Sequence, residues 1–251
     1  MTRLPIITPK IFQSYDFVRC AISTRRGGVS AEPFGMNLSF SVGDQTETVR
    51  ENRRIFLEAA GCEEGQLAQP RQRHTSSAVA VVEPGWYDGA DALVTDRPGL
   101  WLGISVADCL PVFLVDPVHR VVAAVHAGWR GTAGRIVINT VRKMEERYGT
   151  VASDLVAFLG PSARSCCYEV GGEVAAQFDE KVVQRRNGSL YLDIARANAD
   201  QLGQVGVPVQ NMEISGLCSI TEKELLHSYR RDGSRSGRML GVMAILSESA
   251  R

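Results

Sequence analysis

Residues 107 to 132 read ADCLPVFLVDPVHRVVAAVHAGWRGT, and the rest of the chain is organised around this stretch. Its two apolar runs, Leu110 to Val115 and Val121 to Val125, are short and rich in Val, Leu and Phe. Asp116-Pro117 between them is a favourable pair for a turn, so the pattern predicts two buried strands joined by a tight turn. We therefore expect a β-hairpin at the centre of the fold.

The same hairpin would bring a cysteine and a histidine together. If its turn is centred between Pro117 and Val118, residues whose numbers add up to 235 face each other, and Cys109 and His126 are such a pair. Directly opposed residues hold their Cβ atoms roughly 5 Å apart, so a thiolate and an imidazole could share a proton or a metal ion. A three-residue loop would shift the register by one residue and remove this pairing.

The composition is that of an ordinary folded domain. The 251 residues are 44% hydrophobic and 22% charged, and no linker or repeat divides them, so we expect one domain over residues 1–251. The 28 basic and 28 acidic residues balance, which favours neither nucleic acid nor an anionic membrane as a partner. The N-terminus has no secretory signal pattern, and no apolar run reaches the roughly 20 residues of a membrane span. We expect a cytoplasmic protein.

The cysteines are expected to be free thiols. In a cytoplasmic protein, cysteines are more often buried thiols, metal ligands or nucleophiles than disulfides. The adjacent pair Cys166 and Cys167 could form a disulfide only with strain. The six cysteines are Cys20, Cys62, Cys109, Cys166, Cys167 and Cys218.

Two segments have the composition of an anion site. In Thr24-Arg25-Arg26-Gly27-Gly28-Val29-Ser30, glycines allow the backbone to approach a ligand, and guanidinium groups bind phosphate or carboxylate oxygens in pairs. The simpler interpretation is an exposed turn with solvated arginines. The second segment is the passage from His126 into a helix, where unpaired N–H groups at the helix start and Arg130 could both attract an anion.

The remaining pattern alternates short apolar runs with amphipathic segments. Predicted strands are Phe17–Ile22, Ala78–Val82, Ala92–Thr95, Leu100–Ser105, Leu155–Leu159, Leu190–Leu192, Val209–Ile214 and Arg238–Leu246. Predicted helices cover Thr46–Ala60, the segment with Val137, Val141, Met144 and Tyr148, Gly172–Phe178, and a segment capped by Asp193. The basic stretch Ser228–Arg235 is predicted to be a loop that is only a solvated turn.

His74 could join Cys109 and His126 in a metal site. Catalytic zinc typically keeps three protein ligands and one open position, and imidazole with thiolate suits zinc or copper. The spacing matches no compact metal motif, so a buried thiol with two ordinary histidines remains an alternative. Without a metal, Cys109 could be a thiolate nucleophile with His126 as its base.

Several motifs together resemble a known family. They are TRRGGVS (24–30), NLS (37–39), VGD (42–44), ADCLP (107–111), HAGWRGT (126–132), GPSA (160–163), CYEV (167–170), SYRRDG (228–233) and SGR (236–238). In this order they resemble the laccase-domain or polyphenol oxidoreductase family, reassigned as bacterial purine nucleoside phosphorylases. The resemblance implies a single-domain α/β fold of the α+β type, with mixed β-sheets flanked by helices and similar to cysteine-hydrolase-like toxin domains.

The resemblance also implies a zinc ion held by His74, Cys109 and His126. It implies phosphorolysis of adenosine, inosine, guanosine and S-methyl-5'-thioadenosine, together with deamination of adenosine. Thr75 stands where the family has a glycine after the first zinc histidine. The small-molecule partners would be purine nucleosides and phosphate.

Roles follow for other residues if the resemblance holds. Phosphorolysis needs an anion site beside a developing oxocarbenium ion, and deamination needs an activated water molecule. Arg25 is our first choice for phosphate and Arg130 the second. Asp108 and Glu169 are both candidates for the proton carrier. Catalytic residues are therefore expected to include Cys109, His126 and Arg25.

Three other functions remain open at this stage. A copper-dependent polyphenol oxidoreductase is one, although four histidines are too few for a multicopper cluster in a single chain and suffice only for one copper ion. A cysteine amidase or peptidase acting on cell-wall precursors is the second, with Cys109 attacking and His126 taking its proton. A binding module without catalysis is the third.

Overall fold

The predicted hairpin lies at the centre of the molecule. In the computed structural model, which describes residues 4–247, its strands are Leu110–Asp116 and Val121–Ala127, and every residue of both is buried. The four residues Pro117 to Arg120 form the turn between them. The prediction of two buried strands joined by a tight turn is confirmed.

The predicted register of this hairpin is wrong. His126 pairs with Pro111, so the numbers of paired residues add up to 237 and not 235. The cause is Asp116, which stays in the ladder opposite Val121 while its carboxylate accepts hydrogen bonds from the backbone N–H groups of Val118 at 2.9 Å and His119 at 3.0 Å. The turn is therefore centred one residue later than expected, and Cys109 does not face His126 across the ladder.

Fifteen strands and six α-helices make up the described part of the chain. The strands are β1 (Ile6–Ile7), β2 (Val18–Ser23), β3 (Leu67–Pro70), β4 (Ala78–Ala80), β5 (Gly85–Tyr87), β6 (Ala92–Thr95), β7 (Trp101–Val106), β8 (Leu110–Asp116), β9 (Val121–Ala127), β10 (Val156–Leu159), β11 (Glu169–Val170), β12 (Val183–Arg186), β13 (Ser189–Leu192), β14 (Met212–Ile214) and β15 (Met239–Ile245). The helices are α1 (Thr46–Ala60), α2 (Trp129–Ala133), α3 (Ile136–Tyr148), α4 (Gly172–Ala175), α5 (Ile194–Gln204) and α6 (Tyr229–Asp232). Among residues 4–247, none of the helices has the length and hydrophobicity to cross a membrane.

The strands form two large sheets and one small one. The first sheet has the order β1-β2-β15-β7-β3-β5, the second β14-β10-β8-β9-β6-β4, and the third β11-β13-β12. Both large sheets mix parallel and antiparallel pairs. β7 belongs to the first sheet and β8 to the second, so the three residues between them, 107–109, carry the chain from one sheet to the other.

Alternation along β8 shows how the layers are arranged. Val112 and Leu114 pack with residues of α3 and α5, whereas Phe113 and Val115 pack with residues of the first sheet. A third core joins the opposite face of the first sheet to α1. Because β8 and β9 are covered on both faces, their sequences are nearly continuous apolar runs. The fold is the expected single-domain mixed α/β arrangement, with sheets flanked by helices.

Helix boundaries agree with the local signals in most places. α1 spans the predicted residues and ends at Gly61 in the left-handed conformation with φ 80°, and α3 likewise ends at Gly149 with φ 73°. Asp193 caps α5 by accepting a hydrogen bond from the backbone N–H of Arg196. The stretch Ser228–Arg235 is not the simple loop that we predicted, because it contains α6 and a 3-10 turn.

The contact between the two large sheets yields a test of packing. A Cβ atom at Gly241 of β15 would lie 2.7 Å from Cζ of Phe113, which is fully buried. We expect Gly241→Ala to lower the free energy of unfolding by about 1–3 kcal/mol, as overpacked cores do. Chemical denaturation measures this. Gly203→Ala is the control, since nothing lies within 4 Å of a Cβ at that position.

A double variant separates this clash from other causes. Adding Phe113→Leu to Gly241→Ala should cost less than the sum of the two single changes, because the shorter side chain makes room for the new methyl group. Additive losses would contradict the proposed contact.

Candidate metal centre

His74, Cys109 and His126 lie together, as the sequence predicted. Their ligand atoms are all within 4.8 Å of one another, and His74 Nε2 is 3.7 Å from Cys109 Sγ. His74 is exposed, Cys109 is half-buried, and His126 is 4% exposed at the end of β9. One side of the group therefore faces solvent and the other faces the core.

The three residues come from three different parts of the chain, two from connections and His126 from the end of β9. His74 follows β3 and has a positive φ of 60°. Cys109 lies on the crossing between the two large sheets, where Asp108 has a φ of 82°. Gly128, just after β9, lets the chain pass closely, because a Cβ there would be 2.7 Å from His74 Cδ2 and 3.1 Å from Cys109 Sγ. The cluster is compact since no side chain fills that space.

Asp91 holds two of the three residues in place. Its fully buried carboxylate accepts a hydrogen bond from His126 Nδ1 at 2.8 Å and one from the backbone N–H of His74 at 3.0 Å. With Nδ1 occupied, Nε2 of His126 is the ring nitrogen available to the cluster. Histidine ligands of metals commonly donate their second ring N–H to a carboxylate in this way.

Sequence reasoning missed Asp91. The signal that was available is a single acid directly before the buried strand β6, between Ala90 and Ala92. Burial of a carboxylate is costly unless it is hydrogen-bonded or paired, so an acid in such a place indicates partners from elsewhere in the fold. Which partners these are is decided by contacts between residues 16–35 positions apart.

Thr75, where the resembled family has glycine, also binds Asp91. Its backbone N–H donates to the carboxylate at 2.7 Å and its hydroxyl at 2.9 Å. The backbone N–H of Arg73 adds a bond of 3.1 Å. The threonine side chain therefore adds a hydrogen bond to the carboxylate that orients two of the candidate metal ligands.

The charges within the cluster are strongly coupled. Burial raises the pKa of the Cys109 thiol, but His126 and His74 outweigh burial and bring it to about 6. Burial lowers the pKa of His126, but Cys109 and Asp91 outweigh it and raise the pKa to about 9. Asp91 is also buried, yet His126 and the backbone N–H groups of Thr75 and Arg73 hold its pKa well below the usual range. Without a metal, the cluster favours a thiolate beside an imidazolium.

The donor set fits a zinc or copper ion. Ligand atoms 2.0–2.3 Å from a tetrahedral zinc ion lie about 3.3–3.8 Å apart, and the 3.7 Å between His74 Nε2 and Cys109 Sγ falls in that range. Two imidazoles and one thiolate suit both metals. Three ligands with one side open to solvent are the arrangement of a catalytic site and not of a closed structural one.

Cationic and aromatic side chains border the cluster. Arg230 lies over the Tyr168 ring at 5.3 Å, and burial with the nearby Cys109 raises the pKa of Tyr168 to about 12. Burial lowers the pKa of Arg238, while the charges of Asp108, Tyr229 and Cys109 oppose that effect. The SYRRDG and SGR motifs therefore lie beside the metal cluster. For the first of these motifs the sequence predicts only a solvated turn, and this prediction is wrong.

The two candidate proton carriers are placed differently. Asp108 immediately precedes Cys109 in the chain. Its carboxylate accepts hydrogen bonds of 2.6 Å from the Ser219 hydroxyl and from the backbone N–H of Arg230. The exposed Glu169 accepts a bond from the Ser189 hydroxyl at 2.7 Å. Asp108 is thus fixed next to the cluster, whereas the carboxylate of Glu169 is directed to the small third sheet.

Arg25 lies in a separate surface cavity. Its guanidinium donates to Glu32 at 2.9 Å and to the carbonyl oxygens of Lys223 at 2.8 Å and Pro33 at 3.2 Å. The cavity is lined by Arg25, Arg26, Gly27, Gly28, Ser30, Glu32, Gly35 and Glu224, none of which belongs to the metal cluster. The second choice for phosphate, Arg130, is exposed and lies over the Trp129 ring at 4.4 Å.

A family model, related sequences and solved structures all match this chain over most of its length. The family model described as multi-copper polyphenol oxidoreductase laccase matches residues 19–246. A purine nucleoside phosphorylase of Deinococcus radiodurans is 41% identical over 230 residues, covering 90% of this chain and 88% of the relative. Adenosine deaminase RL5, from an unknown prokaryotic organism, is 37% identical over 239 residues, covering 87% and 90%. The crystal structure of Bacillus licheniformis hypothetical protein YfiH matches with a TM-score of 0.91 and 28% identity, covering 96% of each chain.

The role of Asp91 can be tested by metal binding. We expect Asp91→Asn to weaken metal affinity by about 10–100-fold, since that is the usual loss when a carboxylate behind a histidine ligand is removed. Competition with a chromophoric chelator measures the affinity. Asp96→Asn, which changes an exposed acid just after the same strand, is the matched control. Equal affinity in the Asp91 variant and the wild type would show that Asp91 does not support the ligands.

Proposed function

The chain belongs to the multi-copper polyphenol oxidoreductase laccase family, and we propose that it is a zinc-dependent purine nucleoside phosphorylase that also deaminates adenosine. Relatives named purine nucleoside phosphorylase and adenosine deaminase support an enzyme that acts on purine nucleosides. The observation that carries the proposal is the open His74, Cys109 and His126 cluster bordered by arginines. The proposed substrates are adenosine, inosine, guanosine and S-methyl-5'-thioadenosine, with phosphate as co-substrate.

The residues of the cluster would hold the metal, and their surroundings would hold the substrate. A zinc ion at this place would supply Lewis acidity and lower the pKa of a water molecule for attack on the purine ring. Asp91 keeps His126 oriented and keeps its Nδ1 from competing as a ligand atom. Asp108, fixed by Ser219 and the backbone of Arg230, is the better placed of the two candidate carriers for a proton on the purine or its leaving group.

Arg25 is proposed to bind phosphate. The guanidinium of Arg25 donates to the Glu32 carboxylate, and this contact with an oxyanion supports the proposal. Since the Glu32 side chain is 80% exposed, that ion pair is worth little and a phosphate could replace the carboxylate.

A Cys-His hydrolase is the second candidate, and one observation favours it. Cys109, His126 and Asp91 form the order of contacts found in a nucleophile, its base and the group that orients the base. Without a metal, a thiolate at Cys109 could attack an acyl carbon of a cell-wall precursor. The names of the relatives favour nucleoside chemistry over this reading.

A copper-dependent polyphenol oxidoreductase is the third candidate, supported by the family's description. The cluster could hold one copper ion. Within residues 4–247 the other two histidines lie outside it, since His119 binds Asp116 at 2.9 Å and His227 is fully buried elsewhere. A multicopper cluster in one chain therefore lacks imidazole ligands.

The products formed from adenosine distinguish the enzyme classes. With zinc-loaded protein we expect adenine and ribose 1-phosphate when phosphate is present, and inosine when it is absent. Cys109→Ala should lose both activities, because it removes the thiolate ligand, while Cys62→Ser at another buried thiol should keep them. Chromatography identifies the products. Unchanged adenosine, together with an acyl adduct on Cys109 by mass spectrometry, would favour the hydrolase and refute the phosphorylase.

The role of Arg25 predicts a change in the phosphate requirement. Hydrogen bonds to a charged group contribute roughly 1.5–3 kcal/mol, so Arg25→Ala should raise the KM for phosphate by about 10–100-fold. Metal content should not change. Arg26→Ala should raise the KM for phosphate far less, because Arg26 lines the same cavity but its side chain is 56% exposed. An unchanged KM for phosphate would assign Arg25 to holding its loop against Lys223 and Pro33.

A further inference from the structure

A second group of sulfur ligands lies outside the His-Cys-His centre. The Sγ atoms of Cys166, Cys167 and Cys218 are all within 4.8 Å of one another, and those of Cys166 and Cys167 are 3.3 Å apart. All three are free thiols, with Cys166 exposed, Cys167 half-buried and Cys218 buried. Residues 166 and 218 come together only in the folded chain, so the cluster is produced by tertiary structure.

The backbone around the cluster is held by hydrogen bonds. Ser162 and Cys218 form a parallel bridge, with the N–H of Ser219 donating to the Ser162 carbonyl at 3.0 Å. The N–H of Cys167 donates to the Arg164 carbonyl at 2.9 Å, and the Arg164 guanidinium donates to the Ser215 carbonyl. These contacts tie the two cysteine segments to each other. The three sulfur atoms are therefore brought together before any ligand binds.

The surroundings of Cys218 favour a thiolate. Burial and the neighbouring thiols raise the pKa of Cys166 to about 12. Burial also opposes ionisation of Cys218, but the backbone N–H groups of Thr221, Arg164 and Ile220 outweigh it and lower the pKa of that thiol. Such donors stabilise a negative charge on a buried sulfur atom, and the thiolate is the form that binds metals. The exposed Cys166 leaves one side of the cluster open, so that an ion can enter from solvent.

We propose that Cys166, Cys167 and Cys218 form a second metal site, which binds a single Cu(I) ion through three thiolates. Soft sulfur ligands select Cu(I) and zinc over harder ions, and the group contains neither an imidazole nor a carboxylate. Structural zinc takes four ligands, whereas this cluster offers three. Sulfur atoms about 2.3 Å from a common metal lie roughly 3.8–4.0 Å apart, and the separations here, from 3.3 Å to at most 4.8 Å, span that distance.

The second site adjoins the wall of the His-Cys-His centre. Ser219, next to Cys218, donates to Asp108 at 2.6 Å, and Asp108 precedes Cys109. Tyr168 follows Cys167 and lies within electrostatic range of Cys109. An ion bound by the three thiols would fasten together the two segments that hold these side chains. The inference does not depend on which reaction the neighbouring centre catalyses.

Copper binding to variants of single cysteines tests the proposal. Reduced protein, preloaded with zinc, is titrated with Cu(I) that is buffered by bicinchoninate. We expect the wild type to bind one equivalent that Cys166→Ser binds at least 100-fold more weakly, with a similar loss in Cys218→Ser. Cys62→Ser, which changes a buried thiol elsewhere, and Cys109→Ser should both retain this equivalent. X-ray absorption should then show three sulfur atoms at about 2.3 Å and no nitrogen around the copper.

Three outcomes would overturn the proposal. The first is that Cys166→Ser binds Cu(I) with the same stoichiometry and affinity as the wild type, while circular dichroism shows that both proteins are folded. Because Cys166 is exposed, its replacement by serine leaves the core intact. The second is that copper stays with bicinchoninate although mass spectrometry shows all three thiols to be reduced. The third is occupation of the three thiols by zinc that Cu(I) does not displace.

Discussion

The hydrogen bonds to the buried carboxylate of Asp91 are the interaction on which the geometry of the candidate metal centre depends. A carboxylate without solvent is stable only if other groups replace its hydration. Here His126 and the backbone of residues 73–75 do so, and the same bonds fix one imidazole and the backbone position of the other. Satisfaction of one buried charge thus determines the geometry of two ligands. The hydroxyl of Thr75 strengthens this arrangement with a bond of its own.

The layered fold explains why the ligands meet where they do. β8 and β9 are covered by the first sheet on one face and by helices on the other, so they can hardly move. Functional side chains accordingly lie at strand ends and on crossings, where the backbone can leave the ladder. Cys109 is on the passage from β7 in one sheet to β8 in the other, and His126 is the penultimate residue of β9. Gly128 has no side chain, and a Cβ atom there would crowd both His74 and Cys109.

The geometry of the centre is compatible with more than one chemistry. A carboxylate, an imidazole and a thiolate in series suit a cysteine nucleophile as well as a carboxylate-supported metal ligand set. Two features favour the proposed nucleoside enzyme, namely the candidate third ligand His74 on the open side and the charge of Arg238, which interacts with Cys109. A hydrolase requires neither feature. The same low pKa of Cys109 would serve both, because metals and acyl carbons are bound by the thiolate.

Sequence alone predicted the local structure and the three residues that form the candidate metal centre. Apolar runs and turn residues predicted the β8–β9 hairpin, and Gly61, Gly149 and Asp193 marked helix ends, because these signals depend on neighbouring residues in the chain. The family motifs named His74, Cys109 and His126. Local patterns do not encode register. The predicted partner of His126 was therefore wrong by two residues, because Asp116 caps the turn and shifts the pairing.

Only the tertiary structure decided the surroundings of the site. Asp91 binds His126 across 35 residues, and the backbone N–H of Arg230 binds Asp108 from 122 positions away. Cys218 joins a cysteine pair about fifty residues before it. No short-range preference predicts such contacts, because each is made when separate buried surfaces pack and leave polar groups to be satisfied. The sequence thus indicates which side chains can react or bind a metal, and the packing of the sheets decides which of them lie together.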